Sequence, residues 1–313
     1  VTVFTRPQRL ASIVDAIGHT PLLRLRNVEP KGVEIYGKLE FMNPGGSVKD
    51  RAARQIFFDA IARGELTKDK ILIDSTSGNT GVAYSLLGAA LGYRVVLVMP
   101  KNVSQARKDI TQAFGTTLVY SDPLEGSDGA IRLVRELVEK EPTKYYYPDQ
   151  YSNPSNWRAH YLGTAEEILA DVGDRLTHFV AGLGTSGTLM GTTRRLKEHS
   201  RPITCVAMEP SEAAHGLEGL KHMASSIIPA IYDRTVHDGT VFVDTDAGWD
   251  MSDRLAAEIG LHVGHSAGAN VYAAMRLAQQ LSQEGQTGCV VTVLCDRGDR
   301  YFAPMRWEKR YEW

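Results

Sequence analysis

The chain has 313 residues, with 35 basic and 37 acidic side chains and a formal net charge of −2; 43% of the residues are apolar and 23% charged. This composition suits one large or two medium globular domains and excludes global disorder. The mixed charge offers no basic face for nucleic acid, no apolar run reaches membrane-spanning length, and three scattered cysteines (Cys205, Cys289 and Cys295) make neither a disulfide framework nor a zinc-binding pair. Residues 1–12 show no signal-peptide pattern. A cytoplasmic protein is therefore expected, with small-molecule substrates and no nucleic-acid, membrane or metal partner. Cys205 and Cys289 fall in or beside apolar runs and read as reduced core thiols.

In chain order, the pattern predicts a strand at 35–40 and a helix beginning near Asp50. Next come a strand at 71–74 with a helix at 82–91, a strand at 94–99 with a helix at 104–114, and a strand at 117–121 with a helix at 127–139. A stretch rich in Pro, Asn, Ser and Tyr at 148–156 separates this half from the next. Beyond it lie a helix at 161–171, a strand at 177–181, a helix at 189–199, strands at 203–208 and 240–243, a helix at 250–259, a helix at 269–283 and a strand at 289–295. Runs such as Val95-Val96-Leu97-Val98 and Val290-Val291-Thr292-Val293-Leu294 are apolar throughout. Strands of that kind are buried on both faces, as in a parallel sheet covered by helices. The alternation argues for α/β architecture in two doubly wound lobes with mainly parallel sheets. A ligand site is expected between the lobes, at the carboxyl ends of the strands.

The 29 glycines, about 9% against an average near 7%, concentrate at the junctions between strands and helices. Gly182-Leu183-Gly184-Thr185-Ser186-Gly187-Thr188 follows a strand and opens a helix. Its N–H groups, hydroxyls and helix dipole suit an anion. The same segment fits GxGxxG, with Glu209 at the end of the next strand, which is also a dinucleotide pattern; a tight turn with no ligand fits as well. Asp74-Ser75-Thr76-Ser77-Gly78-Asn79-Thr80-Gly81 makes a second cradle, suited to a carboxylate or simply capping a helix. In Asn43-Pro44-Gly45-Gly46-Ser47-Val48-Lys49-Asp50-Arg51, Lys49 stands at a helix start. The positive end of the dipole disfavours an ammonium there, so the amine is set up as a base or imine former; an exposed lysine beside Asp50 is the plainer alternative. Gly264-His265-Ser266-Ala267-Gly268-Ala269 again precedes a helix, with Ser266 facing a ligand or capping.

Taken together, these elements resemble the fold type II pyridoxal-phosphate enzymes, the tryptophan synthase β-like group, and within it the cysteine synthase (O-acetylserine sulfhydrylase) family in its B-type form. The resemblance runs through residues 17–22, 43–51, 76–81, 149–154, 184–188, 264–269 and 295–301. It implies pyridoxal 5'-phosphate as cofactor, bound covalently to Lys49. It places Asn79 on the cofactor's phenolic oxygen, Gly184, Thr185, Ser186, Gly187 and Thr188 on its phosphate, and Ser266 at its pyridine nitrogen. Thr76, Ser77, Gly78, Thr80 and Gln150 would hold the substrate carboxylate. A Ser at the ring nitrogen, unlike an Asp, weakens the electron sink and suits β-elimination. The implied reaction joins an O-activated L-serine (O-acetylserine) to sulfide or thiosulfate to give L-cysteine.

The resemblance further implies a smaller mobile substrate-loop domain at 41–153, a larger cofactor-phosphate domain from 1–40 with 154–313, and a homodimer. Complex formation with serine acetyltransferase is not expected of the B-type. Gly45 stands where the family has Thr or Ala, and His265 where it has an aliphatic residue; His262 and His265 are expected to be packed. Lys221 occupies a position that is often Arg in B-type and O-phosphoserine-using relatives, where it would meet an anionic leaving group or thiosulfate; a solvated surface lysine is the equal alternative. Arg297, Asp299 and Arg300 would either help close the cofactor site or, as the favoured reading, form a structural ion-pair network. Other type II chemistry remains open: O-phosphoserine as donor, cystathionine or diaminopropionate synthesis, or dehydration. A nicotinamide oxidoreductase is the distant alternative; it leaves Lys49 and 76–81 without a task, and Pro210 directly follows its supposed ribose acid.

Overall fold

The apolar runs become the central strands of two sheets in the computed structural model, which describes residues 9–301. Along the chain the strands and helices are β1 (Leu22–Arg24), β2 (Val33–Lys38), α1 (Lys49–Ala62), β3 (Ile71–Ser75), α2 (Asn79–Leu91), β4 (Arg94–Pro100), α3 (Gln105–Ala113), β5 (Thr117–Ser121), α4 (Gly126–Lys140) and β6 (Tyr145–Tyr146). The second half adds α5 (Pro154–Ala159), α6 (Ala165–Val172), β7 (His178–Gly182), α7 (Gly187–Leu196), β8 (Thr204–Pro210), β9 (Gly239–Val243), α8 (Thr245–Ile259), α9 (His265–Gln283) and β10 (Gly288–Val293). A π-type turn at His160–Thr164 joins α5 to α6.

One sheet has the order β1-β2-β10-β7-β8-β9 and the other β5-β4-β3-β6. Every pairing is parallel except β1 with β2. Each sheet is covered on both faces, as continuous apolar strands require. Val180 of β7 packs on the side of α8 and α9, with Met251 and Val271; its neighbours Phe179 and Ala181 face α6 and α7, with Ile168 and Leu189. In the smaller sheet Leu72 and Leu97 meet Phe57 of α1 and Leu87 of α2, while Ile73 and Val98 meet Val134 of α4. Cys205 and Cys289 are buried in this apolar interior and all three thiols are free. No helix among the described residues is long and apolar enough to cross a membrane.

Two short edge strands, β1 and β6, escape the sequence pattern because two or three residues carry no periodicity. Four helices begin earlier than the apolar pattern predicts: α2 at Asn79, α7 at Gly187, α8 at Thr245 and α9 at His265. Their first turns consist largely of small or polar residues, which give no apolar signal. The predicted helix at 161–171 is divided between the π-type turn and α6.

A buried ion network fixes the start of α1 against the larger sheet. Arg51 reaches Glu40 through Nε at 2.6 Å and Nη2 at 2.8 Å, and Glu167 through Nη1 and Nη2, both at 2.7 Å. Lys38 Nζ lies 2.9 Å from Glu167. The Thr20 hydroxyl and the Asn43 amide donate to Glu40 at 2.6 and 2.9 Å. Burial alone would lift both carboxyl pKa values. Arg51, through its charge and hydrogen bonds, holds Glu40 below the ordinary range and, helped by Lys38, brings Glu167 down to about 2. A depressed carboxyl contributes stability above its ordinary titration range, and that stability is lost as pH falls through the folded value. The wild-type protein should therefore lose stability between about pH 5 and pH 2. Arg51→Ala leaves the buried Glu40 carboxylate without a cation and Glu167 with Lys38 alone, and should cost about 3–5 kcal/mol at pH 7, with a much flatter acid limb, as read by denaturant unfolding across that range. An unchanged acid limb in the variant would show that the network does not set it.

Candidate active site

Helix starts and loops from both halves of the chain converge on one cleft. Lys49 is the first residue of α1, Asn79 the first of α2, Gly187 the first of α7, and Ser266 the second of α9. All four line the cleft, together with Gly184, Thr185, Ser186 and Thr188. The eight residues expected around a cofactor are thus brought together. In parallel α/β sheets the strand-to-helix turns share the carboxyl edge, so helix amino ends collect there.

The loop at 182–188 is shaped by close approach. A Cβ on Gly184 would lie 2.1 Å from the Gly219 carbonyl oxygen, and one on Gly187 would lie 1.9 Å from Asn156 Oδ1. Ser186 is held in the left-handed region at φ 69°, which costs a non-glycine residue of order 1–3 kcal/mol. Its hydroxyl is buried without a partner. A buried orphan donor at the amino end of a ten-residue helix, flanked by the Thr185 and Thr188 hydroxyls, is a site built for an anion. Two buried side chains from beneath support it: Asn156 Nδ2 donates to Thr185 Oγ1 at 3.1 Å, and His160 Nε2 lies 3.4 Å from Thr188 Oγ1. Burial, with the charges of Arg51 and Lys49 beside it, pushes His160 down to about 3, so it is a neutral imidazole.

The second cradle, at 75–80, leads into α2. Thr76 and Ser77 are half-buried and Gly78 is exposed. The Thr80 hydroxyl donates to Gln150 Oε1 at 2.9 Å, which joins two residues distant in sequence. Asp149, next to Gln150, is also in the left-handed region at φ 41°. Lys221 donates its backbone N–H to the Leu183 carbonyl at 2.7 Å, and its Nζ sits 5.1 Å from the centre of the Tyr151 ring. Partial burial pushes its ammonium pKa down.

The far wall comes from residues 295–301. Asp296 is buried and accepts from Asn79 Nδ2 at 2.6 Å and from the Tyr301 hydroxyl. Arg300 donates to Asn79 Oδ1 and to the Gly45 carbonyl. Arg297 pairs with Asp299 at 3.1 Å, but Arg300 bonds the cleft residue Asn79 and the Gly45 carbonyl instead, so the expected ion-pair network holds only in part. Burial raises the Asp296 carboxyl, against the Tyr301 and Asn79 hydrogen bonds and the Lys49 charge. Burial also pushes the Cys295 thiol up to about 12, so it is a neutral thiol. His265 stacks on Trp249 at 4.2 Å between ring centres, in line with a packed histidine.

Asn156, His160, Asp296 and Tyr301 are additions to the residues read from the sequence. Asn156 and His160 stand four apart in a segment with no apolar period, and nothing local in the sequence marked them. Asp74, at the end of β3, is another. It is buried, accepts from Ser75 N–H at 2.7 Å, and its Oδ2 has no partner. Burial, with Asp149 facing it and the Ser75 N–H acting against, raises its pKa to about 7. A raised carboxyl contributes stability only while protonated, and that contribution is lost as pH rises through the folded value. Asp74→Asn should therefore gain on the wild type between about pH 4 and pH 7, levelling at about 2–4 kcal/mol. A pH-independent difference in denaturant unfolding would remove Asp74 from this role.

Comparison with known proteins agrees in family across nearly the whole chain. The profile of the family described as "Pyridoxal-phosphate dependent enzyme" matches residues 13–296. The chain is 50% identical over 294 residues to a cysteine synthase of Aquifex aeolicus (strain VF5), covering 93% of this chain and 90% of the relative. It is 37% identical to cysteine synthase B of Escherichia coli (strain K12), covering 94% and 95%. Among solved structures, a cysteine synthase (OASS) from Entamoeba histolytica is similar with a TM-score of 0.92 and 34% identity, covering 98% of this chain and 94% of that one.

Proposed function

The chain belongs to the pyridoxal-phosphate dependent enzymes, and within them to the cysteine synthases; on that premise we propose that it makes L-cysteine by β-replacement on O-acetyl-L-serine, with sulfide as the nucleophile. The observation that carries this reading is the meeting of Lys49 with the anion cradle at 184–188 in a single cleft. The unpartnered Ser186 hydroxyl and the crowding at Gly184 and Gly187 fit a phosphate group. When bound, pyridoxal phosphate supplies an electron sink that acidifies the substrate's α-carbon and lets a β-substituent leave.

Lys49 Nζ would hold the cofactor covalently and, as a free amine, would be the base that takes the substrate's α-proton and later returns it. Gly184 and Gly187 would let the backbone approach the phosphate, while Thr185, Ser186 and Thr188 would donate hydroxyl hydrogen bonds to it. Asn79, now bonded to Asp296 and Arg300, would be the residue that holds the cofactor's phenolic oxygen. Ser266 would offer the ring nitrogen a neutral hydroxyl, which would not hold that nitrogen protonated as a carboxylate would, and this would favour elimination over transamination. Thr76, Ser77, Gly78, Thr80 and Gln150 take the substrate carboxylate at the amino end of α2. Closure of residues 41–153 over the remainder, 1–40 with 154–313, excludes water; the separate four-stranded sheet within 71–146 supports treating that part as one body. Lys221 meets an anionic leaving group or an anionic sulfur donor such as thiosulfate at the mouth. An O-phosphoserine substrate is the second reading, favoured by Lys221 alone. We take the enzyme to be a homodimer working in the cytoplasm; family membership supports the first, and three free cysteines fit the second.

The purified protein should be yellow, with a visible band that borohydride bleaches and O-acetylserine shifts. Lys49→Ala should lose the band and at least about a thousandfold in turnover; a variant that keeps both removes Lys49 from its role. A band shift with O-phosphoserine and none with O-acetylserine would replace the proposed donor. Lys221→Ala should raise KM for thiosulfate or O-phosphoserine by about tenfold and leave O-acetylserine with sulfide within about threefold. Equal changes for all of these would leave Lys221 as scaffold.

A further inference from the structure

Asn156 lies between the two cradles and touches both. It is 2% exposed and sits in the first turn of α5, behind the Asn153 cap. Its Nδ2 donates to the Gln150 carbonyl at 2.7 Å and to Thr185 Oγ1 at 3.1 Å. Its Oδ1 fills the space that a side chain on Gly187 would need. Gln150 is itself buried and accepts from the Thr80 hydroxyl at 2.9 Å. A hydrogen-bonded path therefore runs from the first turn of α2, through Gln150 and Asn156, to the loop ahead of α7.

The direction of each bond decides what this path does. An amide nitrogen is donor only, so two oxygens around Nδ2 fix the orientation of the Asn156 amide. Thr185 Oγ1 accepts from it, and the Thr185 hydroxyl then has its own proton to give. With an acceptor in place of Asn156, Thr185 would have to donate backward, turning a lone pair toward the cleft. The side chain that holds Thr185 also holds the backbone of Gln150.

We propose that Asn156 is a positioning residue that turns the Thr185 hydroxyl into a donor to the anionic group in the 184–188 loop and ties that loop to the Thr80–Gln150 pair. The inference deepens the reading of that loop as the cofactor's phosphate site and rests on it. Asn156 acts through Thr185, so the two positions are coupled. Its contribution is one of bond polarity rather than of volume.

The test is the dissociation constant of pyridoxal phosphate, titrated into apo-protein whose fold is checked by circular dichroism. Asn156→Ala and Thr185→Val should each weaken binding by about tenfold, and the double variant should bind within about twofold of Thr185→Val alone. Asn156→Asp keeps the volume but removes the donor and adds a charge; where it folds, it should bind more weakly than Asn156→Ala and move the 31P resonance of the bound cofactor. Losses that add in the double variant, an Asn156→Ala affinity within about twofold of wild type, or a folded Asn156→Asp that binds better than Asn156→Ala would each overturn the proposal. Thr188→Val separates the two levels of the argument. If it and Thr185→Val both leave affinity unchanged, the phosphate reading itself is wrong; if they weaken binding and Asn156→Ala does not, only the role of Asn156 is lost.

Discussion

Four helices of 14, 13, 10 and 19 residues point their amino ends into one cleft, and the rest of the site depends on that convergence. Each end carries unpaired N–H groups and about half a positive charge. A parallel sheet places α1, α2 and α7 there without any special sequence, because each strand hands over to its helix at the same edge; α9 instead follows α8 through the connection at 260–264. The sequence then adjusts the four ends separately. At α7 it supplies glycines and hydroxyls that admit a phosphate-sized anion. At α2 it supplies Thr, Ser and Asn side chains beside Gln150. At α9 it supplies one neutral hydroxyl, Ser266, and at α1 it places an amine, Lys49.

Convergence has to be held by packing, since four like dipole ends repel one another. The Arg51 network does part of this. Arg51 is two residues beyond Lys49, and its bonds to Glu40 and Glu167 anchor the first turn of α1 to segments packed on the larger sheet. The wall at 295–301 acts from the other side, where Asp296 and Arg300 bind the two ends of the Asn79 amide. Beneath the α7 loop, Asn156 and His160 hold Thr185 and Thr188. Backbone strain is confined to a few positions, and two of them, Asp149 and Ser186, adjoin the cradles. That is where strain is tolerated when the surroundings over-determine the geometry.

The architecture was legible in the sequence because buried parallel strands are written as unbroken apolar runs. Val95–Val98 and Val290–Val293 could hardly have been anything else, and they lie in β4 and β10. The site loops were legible for the opposite reason: glycine and hydroxyl residues crowd where the apolar pattern stops. Those same residues hid the true starts of α2, α7 and α9, because a helical turn of Gly, Ser, Thr and Asn carries no amphipathic signature. The supports beneath the loops were not legible. Asn156 to Thr185 spans 29 positions and Asn79 to Asp296 spans 217, and such pairings are set by the topology of the sheets, not by local pattern. Asp74 was visible only as the residue before a polar loop, and its burial without a full set of partners could not be read from its neighbours.

The central claim is that Lys49 and the loop at 184–188 serve one and the same ligand. A crystal structure of the protein loaded with pyridoxal phosphate tests it directly. The account predicts continuous density from Lys49 Nζ through the pyridine ring to a phosphate seated among Thr185, Ser186 and Thr188. A cofactor bonded to a different lysine, or a phosphate lying outside that loop, would contradict it.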